Sequence, residues 1–223
     1  MKLPAGRATN GIAAISVAAF LLLYLAGKVT DAAIIGGFIP ARLGDPALLQ
    51  GMLAVPAWLT PVSCTLIHAG WLHIGFNMFM LLFCGRQVEH VLGWGGTLFL
   101  YGVGAYAACL AQWLVDPAST NPMVGASGAI SAILATYSLL YSQQKVRRIG
   151  PLSANLVRVL WLAAAWIAIQ LMIGLASSGG MDGGLGDLGQ IAIAAHIGGF
   201  LAGLAATRPL LRWRFRKKPR AVH

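Results

Sequence analysis

Residues 71–115 read WLHIGFNMFMLLFCGRQVEHVLGWGGTLFLYGVGAYAACLAQWLV. Two consecutive apolar spans fit this stretch, Trp71–Gly93 and Gly93–Val115, and charge appears only around Arg86 and Glu89. Each is close to the ~20 apolar residues that cross a bilayer as a helix. Working outward, the same pattern recurs. A first span covers about Gly11–Gly27, a fourth Met123–Tyr141, a fifth Leu156–Ala176 and a sixth Gln190–Ala206. The predicted fold is therefore all-α: a polytopic membrane protein, a bundle of six transmembrane helices over residues 11–207. A short polar segment, 1–10, precedes it and a basic tail, 208–223, follows it.

Composition agrees. Of 223 residues, 58% are apolar and 10% charged, against roughly a quarter charged in a soluble domain. The basic start followed by an apolar run resembles a signal peptide, but the run is long for one and lacks a clear cleavage site, so it reads as a retained span. Residues 28–70 form a connector with Pro40, Pro56 and Pro61. Its Trp58, Leu59, Leu66 and Ile67 suit a membrane interface. Cys64, Cys84 and Cys109 read as small buried hydrophobes, with no disulfide framework and no CxxC metal pattern.

Six spans put both termini on one side. With that side cytoplasmic, every Lys and Arg of the 16 except Lys28 and Arg42 falls inside, as the positive-inside bias requires. The net charge of +10 thus reads as a topology anchor touching lipid, not as a nucleic-acid surface. The pattern points to an integral membrane protein of a bacterial inner membrane, with both termini cytoplasmic.

Polar side chains inside spans are costly and call for a reason. Four stand out: His73, Asn77, Ser127 and His196. His73 and Asn77 share one helix face at spacing i, i+4. Ser127 sits at the outer start of its span, and His196 roughly 9 Å below the outer end of the sixth. Three helices thus carry polar groups to one depth. Glycines flank Ser127 at Gly125 and Gly128, which permits close approach. Gly199 and Gly203 form a small-xxx-small pair that lets the sixth span pack tightly on a neighbour. If that neighbour is the fourth span, His196 meets Ser127, the minimal activated nucleophile. The Ser127 N–H, in the first turn of a helix, is free to bind an oxyanion. Taken singly, a membrane serine is usually a packing or back-bonding residue, and His73 with Asn77 could be a structural pair. His68 and His90 read as satisfied or solvated histidines, and the tryptophans as core and interface.

Three segments together, HAGWLHIGFNM at 68–78, GASGAIS at 125–131 and AHIGGFLAG at 195–203, resemble the rhomboid family of intramembrane serine proteases. The resemblance implies Ser127 as nucleophile, His196 as base, and His73 and Asn77 with the Ser127 N–H as the oxyanion site. It implies supporting roles for His68, Gly125, Gly128 and Gly199, and a structural turn at Gly85 and Glu89. It also implies transmembrane protein substrates, single-span proteins with small residues near the cut and helix-destabilising residues nearby. Two departures are visible. Leu59 and Thr60 occupy the places of a Trp-Arg pair usual in the family's connector, with Trp58 one step earlier. Ser131 stands where an aromatic often stacks on the base.

No cofactor and no metal is expected: the metalloprotease motif H-E-x-x-H is absent. G-L-G-D at 184–187 matches a motif of intramembrane aspartyl proteases, but that chemistry needs two facing aspartates and no span carries an Asp. It reads as part of a glycine-rich outer loop, 177–189, capping the site. Two rival readings remain: an inactive rhomboid-like protein that binds membrane clients, and a small transporter. Inactive relatives usually lack the serine or the histidine. A transporter predicts polar groups through the full depth of the bilayer.

Overall fold

The computed structural model describes residues 4–45, 47–141, 149–154 and 193–216, and between them only 156, 157, 160, 161, 164 and 166. Six helices organise it: α1 (Arg7–Leu25), α2 (Val29–Gly36), α3 (Trp71–Met80), α4 (Arg86–Val115), α5 (Ser127–Tyr141) and α6 (Ile193–Arg214). Among the described residues no strand forms. The bridges Phe38–Met123 and Ile149–Leu152 are isolated. The architecture is the expected all-α bundle. Most of its fifth span (156–176), the basic loop at 143–148 and the glycine-rich loop at 177–189 lie outside the described residues.

The first span of the pair quoted first is one run of helix from Trp71 to Leu92, with a π-helical turn at Leu81–Gly85. The break falls at Gly93, whose φ of 76° and ψ of 165° suit glycine almost alone. Beyond Gly93 the chain doubles back. Buried Cys109 packs with Cys64 of the connector and Phe38, so the end of α4 returns to the level at which α3 began. The Arg214 guanidine, at the end of α6, lies beside Gly93. One end of the bundle thus collects the start of α1, Gly93 and the end of α6. The other collects the connector and the starts of α3, α5 and α6.

The helices wear apolar side chains outward. Leu22, Leu25, Phe79, Phe99, Leu110, Leu114 and Leu201 are all exposed, a surface no water-soluble monomer would carry. Arg7–Leu25 and Trp71–Val115 are each long and apolar enough to cross a membrane. In the interior, Leu81, Val88, Leu92, Leu100, Ile130, Ile133 and several alanines form one core. α6 packs mainly on α4 and α5. Small residues allow this. A Cβ on Gly199 would fall on the Gly128 carbonyl oxygen, and one on Gly203 on the Ala132 carbonyl. Lower down, the Thr136 and Thr207 hydroxyls meet at 2.8 Å.

Two helix ends differ from the hydropathy reading. α1 starts at Arg7, not near Gly11, because Glu89 of α4 caps it. Its carboxylate accepts from the Ala8 and Thr9 N–H groups at 3.0 and 2.8 Å and from the Thr9 hydroxyl at 2.7 Å. The buried anion satisfies orphan donors at the positive end of the helix dipole. α6 runs on past Ala206 and through Pro209 to Arg214. Hydropathy drops where the arginines begin, but cations suit a helix C-terminus, and Arg208, Arg212 and Arg214 are helical. Replacing Glu89 with alanine is expected to destabilise the protein by about 2–3 kcal/mol. Thermal unfolding in detergent measures this, and Glu89→Gln, which keeps one acceptor, should lose less.

Candidate active site

Ser127 is the first residue of α5, and the chain before it is held by the connector. Phe38 and Met123 exchange backbone hydrogen bonds at 2.9 and 2.8 Å, the Gly125 N–H donates to the Cys64 carbonyl at 2.9 Å, and the Ala41 N–H donates to the Ser119 carbonyl at 3.0 Å. Gly125 has φ +112°, and a Cβ there would lie 2.5 Å from His73 Nε2. Glycine is therefore required twice at this position, for its backbone angle and for the imidazole seated over it.

The structure brings Ser127 and His196 together. Ser127 Oγ and His196 Nε2 are 2.7 Å apart, and the two residues are 8% and 5% exposed. The fourth span is a neighbour of the sixth, as is the third. Gly199, one turn beyond His196, sits on the Gly128 carbonyl, while Gly128 packs on Ala108 of α4. His196 Nδ1 is buried with no hydrogen-bond partner, so among the described residues no acceptor orients the ring from behind.

His73 and Asn77 both belong to α3, and the His73 ring sits over Gly125, two residues before Ser127. The Ala69 N–H makes a long contact, 3.4 Å, with His73 Nδ1. That assigns the ring proton to Nε2, the nitrogen over Gly125. Asn77 is fully buried. Its Nδ2 donates one hydrogen to the His73 carbonyl at 2.8 Å, which leaves the second amide hydrogen available.

His68 packs edge-on against His73, ring centroids 5.1 Å apart. It is neither satisfied nor solvated, for both its nitrogens are buried without partners among the described residues. His90, by contrast, is exposed. Among the described residues no three His, Cys, Asp or Glu side chains gather as a metal-holding group. The three cysteines are free and buried.

Some residues at the site had no sequence signal beyond their type. The connector, without a Trp-Arg pair, is tied down otherwise: Arg42 Nη2 donates to the Val55 carbonyl at 2.9 Å, the Ser63 hydroxyl to the Gly36 carbonyl at 2.6 Å, and the Tyr106 hydroxyl to the Trp58 carbonyl at 3.0 Å. From the sequence Arg42 reads only as an outside cation. Trp166, read as core, lies beside His196 and donates to Ser131. The one available hint was that a buried indole N–H must find an acceptor.

An all-α bundle that exposes an apolar belt and holds a serine against a histidine near one end defines a class, polytopic membrane proteins with a hydrolase-like polar centre. Comparison with known proteins places the chain within that class. The family model described as the Rhomboid domain matches residues 56–213, and the chain belongs to the rhomboid family. It is 32% identical to Rhomboid-like protein 11, chloroplastic, of Arabidopsis thaliana over 74% of its length and 55% of that protein's. It is 26% identical to Rhomboid protease GlpG of Pectobacterium atrosepticum over 92% of this chain and 63% of the relative. With Rhomboid protease GluP of Bacillus subtilis the identity is 26% over 88% and 33%. The chain thus spans less than two thirds of the length of these relatives. It is an integral membrane protein of a family that includes serine proteases.

Proposed function

We propose that the chain is an intramembrane serine endopeptidase that cuts single-span membrane proteins. The observation carrying this reading is the 2.7 Å contact between Ser127 Oγ and His196 Nε2, made by two helices 69 residues apart in sequence inside an apolar bundle. A serine serving only packing would bond back to its own helix.

In the proposed reaction His196 Nε2 takes the Ser127 hydroxyl proton as Oγ attacks the carbonyl carbon of the scissile bond. Negative charge collects on the former carbonyl oxygen and is met by the Ser127 N–H, His73 Nε2–H and the free Asn77 amide hydrogen. Collapse expels the amine, which takes the proton from His196. A water then gives its proton to His196, attacks the acyl-enzyme and releases Ser127 and the new carboxylate. His68, Gly125, Gly128 and Gly199 are assigned supporting parts: the glycines admit His73 and the packed helices, and His68 buttresses His73. The reaction requires no cofactor or metal. The substrate partners are membrane proteins presented from the bilayer. The charge asymmetry supports a cell-membrane orientation with both ends of the chain in the cytoplasm and the site toward the opposite face, as in a bacterial inner membrane.

A fluorophosphonate probe tests the nucleophile. Wild-type protein in bilayers should take the label at Ser127 and lose cleavage of a single-span reporter in parallel, and Ser127→Ala should take none. Labelling that persists in Ser127→Ala, or reporter cleavage untouched by full labelling, refutes the assignment. The client-binding alternative predicts neither label nor cleavage.

A further inference from the structure

The imidazole of His196 bonds Ser127 through Nε2, while its buried Nδ1 has no partner among the described residues. In the better-known triad an acid on that nitrogen holds the ring in its plane. Here something else must restrain rotation about the Cβ–Cγ bond. The flanking group is Trp166, whose ring meets His196 nearly edge-on, centroids 6.4 Å apart and planes at 71°. Trp166 is itself buried and anchored. Its indole Nε1–H donates to Ser131 Oγ at 2.7 Å, and its ring stacks on Phe76 at 5.6 Å.

Ser131 suits this anchor because a hydroxyl donates and accepts at once. Its single proton goes to the Ser127 carbonyl at 2.8 Å, and a lone pair takes the indole N–H. A back-bonded serine in a membrane helix ordinarily ends there. Here the interaction continues across to the fifth span and closes a circuit: Ser127 hydroxyl, His196 ring, Trp166 ring, Ser131 hydroxyl, Ser127 carbonyl. The two ends of the circuit are atoms of the nucleophile itself.

We infer that Ser131 and Trp166 act as one positioning pair, the hydroxyl pinning the indole so that the indole holds the His196 imidazole square to Ser127. The inference rests on the proposed catalytic roles of Ser127 and His196, and it adds that the base is aligned from the fifth span instead of by an acid. Neither residue touches the reacting atoms. Their effect runs through the orientation of the ring.

Steady-state cleavage of a single-span reporter in bilayers tests this, using Ser131→Ala, Trp166→Phe and the double variant, with rates referred to the folded fraction measured by circular dichroism melting. Ser131→Ala removes the acceptor, and Trp166→Phe keeps a ring but removes the donor. Each single variant should lower kcat roughly 5- to 20-fold, with KM unchanged. The double variant should be no slower than the slower single one, to within about 2-fold, because both changes remove the same bond. Trp166→Leu, which removes the ring, should be slower than Trp166→Phe. An active wild type with single variants at its own kcat overturns the inference, and so do single losses that multiply in the double variant or fall on KM alone. A wild type that neither cleaves nor takes the fluorophosphonate overturns the catalytic reading, and this inference with it.

Discussion

Ser127→Ala and His196→Ala should each lower reporter cleavage by roughly 10⁴-fold or more, leaving only what binding and the oxyanion donors supply. The size follows from how the pair is built. Among the described residues Ser127 Oγ bonds one basic group, His196 Nε2 at 2.7 Å. A serine hydroxyl without a base is a poor nucleophile, and the base without the hydroxyl has nothing to activate. The double variant should therefore be no worse than either single one, the non-additivity expected of groups that act as a unit. Ser127→Ala removes a single oxygen, so its melting temperature should stay near wild type, whereas His196→Ala leaves a cavity beside Trp166 and should melt lower, so rates are referred to the folded fraction. Cleavage within 10-fold of wild type in either variant would sink the mechanism.

The second large effect is expected far from any reacting atom. At Gly199 a β-carbon has no room, since it would coincide with the Gly128 carbonyl oxygen and crowd Ser131 Cβ at 3.4 Å. Both neighbours belong to the first two turns of α5, whose first residue is Ser127. Gly199→Val must therefore push α6 away from α5, one turn from His196. A displacement of about 1 Å between reacting groups is enough to cost ~100-fold in rate, and overpacking of a close-packed interior costs about 1–3 kcal/mol. The expected result is a loss of cleavage of roughly 100-fold or more with a lowered melting temperature. Gly11→Val supplies the control, because nothing lies within 4 Å of a Cβ at Gly11. Wild-type activity in Gly199→Val would show that the contact between α5 and α6 does not govern the site.

Much of this architecture was legible in the linear pattern for a definite reason. Lipid accepts no unpaired backbone polar group, so each apolar run of sufficient length must be a helix, and the run alone locates it. The reversal at Gly93 and the i, i+4 placement of His73 and Asn77 follow from local geometry. The same cost of polar groups in lipid singled out Ser127 and His196, and the pair Gly199 and Gly203 indicated a close helix contact without naming the partner.

Helix ends were less legible. Hydropathy sees where hydrocarbon ends, whereas a helix ends where its terminal donors and acceptors run out of partners. The start of α1 is set by Glu89, 80 residues from Thr9 in sequence, and α6 persists beyond the apolar run because arginines suit its C-terminus.

The residues of this chain determined by themselves that it spans a membrane as helices and which side chains are too polar to be there idly, because transfer of each group into lipid has a cost that depends on the group and not on its neighbours. Which of those side chains meet was decided only by tertiary packing. The bond from Ser127 to His196, the indole of Trp166 on Ser131 and the Glu89 cap on α1 each join distant segments through hydrogen bonds of about 3 Å reach, and no local pattern encodes a separation in space that small.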